Sequence, residues 1–76
     1  MPFVEIKVIE GVFTHEEKRE IVERVSETLI DIEGEGLRGS THTVITETPS
    51  GEWAIGGRAF TAEEVKEKRG VTADTA

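Results

Sequence analysis

The sequence predicts an α/β fold built on one βαβ unit, in which two parallel strands are joined by a long crossover helix and followed by a short hairpin or strand. Three observations carry this: an alternating run from Phe3 to Ile9, a capped amphipathic stretch from Thr14 to Ile32, and a second β-branched run from Thr41 to Thr48.

In the first run Val4, Ile6 and Val8 share one face and Phe3, Glu5, Lys7 and Ile9 the other, as the two-residue period of a strand requires. The uniformly β-branched face belongs on the core. The amphipathic one faces water or a neighbouring subunit. Glu10-Gly11-Val12-Phe13 is a connection. Thr14-His-Glu-Glu17 then reads as a capping box, and Ile21, Val22, Val25, Leu29 and Ile32 lay an apolar stripe on the helix it opens. The charged residues between them form a solvated face, and Gly34 and Gly36 end the helix.

Along the second strand Thr41, Thr43, Ile45 and Glu47 share one face and His42, Val44, Thr46 and Thr48 the other. A helix between two strands makes the strands parallel and the crossover right-handed. Pro49-Ser-Gly51 is a turn, and Glu52 to Ile55 forms a short strand or hairpin ending at Gly56-Gly57. Thr61-Ala-Glu-Glu64 repeats the capping-box pattern ahead of a short helix that stops at Gly70. Val71 to Ala76 is expected to fray or to serve as an arm on a partner.

The chain has 76 residues, no cysteine and a formal charge of −7. That length predicts a single domain, residues 1–76, too small to be comfortable alone, because chains of this size bury only about 60% of their unfolded surface. Without cysteine, disulfides and thiolate metal sites are ruled out as staples, which leaves oligomerisation. A lone two-stranded sheet with one covering helix also leaves two strand edges and a face open, so subunits are expected to pair. The negative charge and scattered Lys and Arg argue against nucleic acid as a partner. No apolar run approaches a membrane span and no signal peptide is evident, so a cytoplasmic protein is expected.

Pro2 is the residue with chemical promise. Initiator methionine is generally removed before proline, and its removal leaves Pro2 as a secondary amine at the start of an ordered strand. In a site poor in water the cationic form is disfavoured, the pKa falls, and the amine can act as a general base near neutrality. The plain alternative is a proline tolerated as a first strand residue. His42 reads by itself as a hydrogen-bonded surface or interface histidine, and Trp53 as an interface anchor. His15 belongs to a solvated helical turn, and Gly56-Gly57 to a tight bend.

Pro2 at the head of the first strand, Ile9-Glu10-Gly11 after it, a capped helix, Val44-Ile-Thr-Glu47 and a turn into Trp53-Ala-Ile-Gly-Gly57 together resemble the 4-oxalocrotonate tautomerase family over roughly residues 2 to 60. The resemblance implies an amino-terminal proline that shuttles a proton between carbons of an enol or dienol acid, as base and then acid. It implies βαβ subunits that form dimers with a four-stranded sheet, usually as a hexameric trimer of dimers, and no metal or organic cofactor. Pro2 falls on the catalytic proline, Trp53 on an aromatic residue that keeps the site apolar, and Ile9 and Ile55 on apolar lining positions.

Two family arginines do not carry over. Val12 occupies the place of one, with Phe13 inserted after it, and His42 aligns with the other, while Arg38 and Arg58 are the nearest replacements. Such arginines bind a substrate carboxylate and stabilise developing negative charge, and an imidazole lacks their bidentate fork. The expected function is therefore tautomerisation of a small enol or keto acid other than the usual dicarboxylate, with Pro2 catalytic and His42, Arg38, Trp53, Ile9 and Ile55 binding substrate. The alternatives are a proline-dependent hydratase, dehalogenase or decarboxylase, or a non-catalytic subunit of a hetero-oligomer whose partner supplies the arginines.

Overall fold

Strand β1 covers Phe3–Ile9, and along Phe3 to Val8 its side chains alternate between exposed and half-buried in the order the two-residue period dictates. The computed structural model describes residues 2–70, so the expectations for Met1 and for the tail 71–76 lie outside the described residues. After β1 come helix α1 (His15–Glu33), a 3-10 segment (Glu35–Ser40), strands β2 (His42–Thr48), β3 (Trp53–Ile55) and β4 (Arg58–Phe60), and helix α2 (Ala62–Arg69).

β1 and β2 form one two-stranded sheet and β3 and β4 another. The amide of His42 donates to the Pro2 carbonyl at 3.1 Å and that of Glu10 to the Thr48 carbonyl at 2.7 Å. Both pairings advance in the same direction along the chain, so β1 and β2 are parallel, as the long crossover demands. Contacts divide the fold into two units, one of residues 2–6 with 15–46, the other of residues 7–14 with 47–70.

In the first unit Val4 and Ile6 of β1 and Thr43 and Ile45 of β2 are half-buried, as are Ile21, Val22, Val25 and Leu29 of α1. Ser26 donates to the Val22 carbonyl at 2.6 Å and shares a hydrogen bond of 2.8 Å with Thr43 Oγ1, which pins the helix to β2. Ile30 is the buried residue of α1, whereas Ile32, expected on the stripe, is 80% exposed. It lies at the stripe's edge, beside Val4, Val25 and Leu29 around an open groove. Gly34, at φ 110, turns the chain out of the helix into the 3-10 segment, which no periodicity announced. Phe3, Glu5, His42, Val44 and Thr46 are all exposed, so that face of the strands is bare.

The second unit has its own core of Ile9, Val12 and Ala62, with Phe13, Trp53, Phe60 and Val65 packed against it. Ile9 is thus 7% exposed rather than turned to water, because the loop after β1 and helix α2 cover it. β3 and β4 pair antiparallel, Trp53 opposite Phe60 and Ile55 opposite Arg58. Gly56-Gly57 is the turn between them rather than the end of the hairpin. Both glycines have positive φ, at 60° and 85°, the combination a two-residue hairpin turn needs. α2 opens with the expected capping box, the Thr61 side chain accepting from the Glu64 amide and the Glu64 side chain from the Thr61 amide, and closes on Gly70 in the left-handed conformation. Among the described residues no helix is long and apolar enough to cross a membrane.

Candidate active site

Pro2 is half-buried immediately before β1. Its carbonyl is tied to the head of β2 by the His42 amide, so the ring is carried on paired backbone rather than on a loose end. The charge state of its nitrogen depends on Met1, outside the described residues. The His42 ring stacks on Phe3 with centroids 6.1 Å apart and planes inclined by 25°. Both rings are exposed, Phe3 to 65%. The structure therefore brings the backbones of Pro2 and His42 together at adjacent strand ends, with the His42 ring laid on Phe3.

Arg38 is engaged elsewhere. From the 3-10 segment its Nη1 meets Glu27 Oε2 and its Nε meets Glu35 Oε1, each at 2.6 Å, and Nη2 reaches the second oxygen of both carboxylates at 3.1 Å. The fork is filled by two bidentate partners. Those hydrogen bonds hold the carboxyls of Glu27 and Glu35 below the ordinary carboxylate value and push the guanidinium's up. Arg38 borders an open depression with Glu27, Ser26 and Thr43, of which Pro2 and His42 are not part.

Ile9, Trp53 and Ile55 do converge. They border one cavity of about 280 Å³ in the second unit. Val8, Val12, Phe13, Phe60 and Val65 complete its apolar wall, and Lys68 of α2 is its charged border. Several local devices shape it. The turn at Gly56-Gly57 sets Trp53 opposite Phe60. The Val12 amide donates back to the Ile9 carbonyl at 3.3 Å. Arg69 donates to the Val12 carbonyl at 3.2 Å and lays its guanidinium 4.6 Å from the centre of the Phe13 ring, which holds the first loop from the α2 side. Arg58, the other possible replacement, lies 4.4 Å over Phe60 and is ion-paired with Glu64.

Phe13, Phe60, Val65 and Lys68 were not singled out as lining residues by the sequence. Phe13 and Phe60 carried a signal, since two aromatic residues in polar connections ask for cover, but Lys68 on a polar helix carried none. Among the described residues no group of three or more His, Asp or Glu is placed to hold a metal ion.

A family model described as tautomerase enzyme matches residues 2–63. The chain belongs to the tautomerase family. It is 33% identical over 61 residues to a probable tautomerase K2 of Dickeya dadantii (strain 3937), covering 80% of this chain and 90% of that one. A solved structure from work on the 4-oxalocrotonate tautomerase isozymes of Methylibium petroleiphilum superposes with a TM-score of 0.67 at 31% identity, covering 84% of this chain and 97% of the other. The βαβ unit, its parallel strands and the short antiparallel pair are the tautomerase fold, and the family is one of isomerases. The tautomerase match ends at residue 63, so α2 lies almost wholly beyond it.

Proposed function

We propose that this tautomerase uses Pro2, freed by loss of Met1, as general base and then general acid in keto-enol or dienol proton transfer on a small carbonyl acid. The observation that supports it is the seat of Pro2: half-buried, directly ahead of β1, and held through its carbonyl by the His42 amide at 3.1 Å. A base so held needs little reorganisation when the proton moves. The amine takes a proton from an enol hydroxyl or an α-carbon and returns it to a carbon further along, while the His42 imidazole donates to the carbonyl oxygen as charge builds there.

Trp53, Ile9 and Ile55 exclude water in this reading, which lowers the amine's pKa and keeps it partly unprotonated near neutrality. Pro2 precedes β1 and Ile9 is its last residue. We therefore assign the assembly of proline and apolar wall to association of copies of this chain, a homodimer or a hexamer built as a trimer of dimers. Phe3, Ile32 and Ile55, at 65%, 80% and 64% exposure, are apolar surface for such contacts. Arg38, already filled by two carboxylates, is assigned to holding the 3-10 segment against α1. The substrate is then less charged than the dicarboxylate implied by the usual pair of arginines.

The test is a Pro2→Ala variant assayed for ketonisation of phenylenolpyruvate, with intact mass establishing that Met1 is absent. Activity should fall by at least a hundredfold, within the range of positioned acid-base groups of about 10²–10⁴. A variant as fast as the parent removes Pro2 from the mechanism. The commitment of Arg38 to Glu27 and Glu35 also favours a second reading, a non-catalytic subunit completed by a different chain; saturable activity of the purified homo-oligomer excludes it.

A further inference from the structure

We infer that the cavity between the β3-β4 hairpin and α2 binds small monocarboxylates with an aryl or branched apolar body, and that Lys68 grips the carboxylate. The proposal deepens the tautomerase reading by naming a substrate class, and rests on that reading only for the step of turnover. Its first support is the contrast within the cavity. Trp53, Phe13, Phe60 and the aliphatic side chains around them offer a wall with almost no polar partner, and Lys68 is the charged side chain on its border. A wall of this kind with one cation at its edge is complementary to an amphiphile carrying a single negative charge.

The second support is the disposition of the other charges. Arg58 and Glu64 are occupied with each other, and Arg69 is turned to the Val12 carbonyl and the Phe13 ring. Glu67 borders a neighbouring depression that also includes Lys68, but not the apolar cavity itself. Among the described residues Lys68 is in no hydrogen bond or ion pair. Lys68 is exposed and can meet an anion without giving up a partner among the described residues.

The third is size and charge count. About 280 Å³ is near the lower end of ligand-sized cavities, roughly 300 Å³, enough for one ring and a short chain. A second carboxylate would lie against the apolar wall with nothing to replace its hydration, so dicarboxylates are disfavoured. Because α2 lies almost wholly beyond the family match, this selectivity belongs to the present chain rather than to the shared βαβ frame.

Trp53 is the chain's single tryptophan and borders the cavity, so its fluorescence reports occupancy directly. The probes are 3-phenylpropionate, its neutral isostere 3-phenylpropanamide, and adipate, titrated into the full-length protein. 3-Phenylpropionate should bind about tenfold more tightly than the amide, the effect of one charge-assisted hydrogen bond at a partly exposed position, and adipate more weakly than either. Lys68→Met, which keeps the aliphatic stem, should erase the preference for the acid over the amide, and Lys68→Arg should restore it. Equal affinity for acid and amide, or a preference that survives Lys68→Met, overturns the proposal. 3-Phenylpropionate has no keto or enol group. A protein that binds it in a Lys68-dependent way but fails to ketonise enol acids keeps this site and loses the tautomerase reading. One that ketonises enol acids with no preference set by Lys68 does the reverse.

Discussion

The amide of His42 donates to the carbonyl of Pro2 at 3.1 Å, so the head of β2 holds the residue ahead of β1 through the backbone while the His42 ring stacks on Phe3. One residue thereby makes two separable contacts, a backbone hydrogen bond through its N–H and a stack of its ring on Phe3.

Substitution can part them. His42→Ala removes the imidazole and keeps the amide, whereas His42→Pro removes both. If the anchor positions Pro2, His42→Pro should lose about fivefold more ketonisation activity than His42→Ala, the equivalent of one net hydrogen bond of about 1 kcal/mol. Equal rates for the two variants would leave the backbone bond without a role in catalysis.

The Arg38 cluster makes a prediction about acid. Hydrogen bonds from Arg38 hold the carboxyls of Glu27 and Glu35 below their ordinary value of 4.5. A folded-state pKa below the unfolded one stabilises fully above the unfolded value and is lost as pH falls through the folded one. The Tm of Arg38→Gln should therefore lie below the parent's at neutral pH, and the gap should close as pH drops beneath 4.5. Exposure makes the effect sensitive to molar salt as well. A gap unchanged in acid would assign Arg38 a packing role. Ketonisation by Arg38→Gln should stay near the parental rate, because its guanidinium already has two carboxylates.

Thr61 caps α2, its side chain accepting from the Glu64 amide. Thr61→Ala should cost about 1 kcal/mol in urea unfolding. It should also weaken binding of 3-phenylpropionate through loosening of α2, whereas Thr61→Ser should restore both. Loss of stability with binding untouched would separate α2 from the cavity.

Gly56 has φ 60 and open space where a Cβ would stand. Asparagine accepts that conformation in a two-residue hairpin turn, and it loses less freedom on folding than glycine. Gly56→Asn should raise stability by about 0.5 kcal/mol, read as a higher urea midpoint at unchanged m. A fall would show that the turn needs glycine for more than its backbone angle.

Much of the frame was legible because it rests on local rules. The alternation of Val4, Ile6 and Val8 fixes the faces of β1, and Thr61 with Glu64 announces α2 by hydrogen bonds between near neighbours. The hairpin was half-read: strands as short as Trp53–Ile55 and Arg58–Phe60 show no periodicity, so Gly56-Gly57 passed for an end. Ile9 was assigned to the outer face because a two-residue period cannot register cover arriving from Val12 and Ala62. Arg38 looked available because its partners, Glu27 on α1 and Glu35 in the 3-10 segment, converge only through a turn that no sequence period encodes. Lys68 escaped notice for a related reason, since a lysine on a polar helix reads as solubility until the wall beside it is seen.

At Gly11, φ is 92°, and a side-chain carbon placed there would stand 3.5 Å from the Cβ of Ala62. The two positions share one small volume although they are far apart in the chain. Bulk added at residue 62 would push against the first loop, and bulk at residue 11 against the root of α2. Relatives that keep α2 should thus hold residues 11 and 62 small together, and residue 11 carries in addition the demand of its backbone angle.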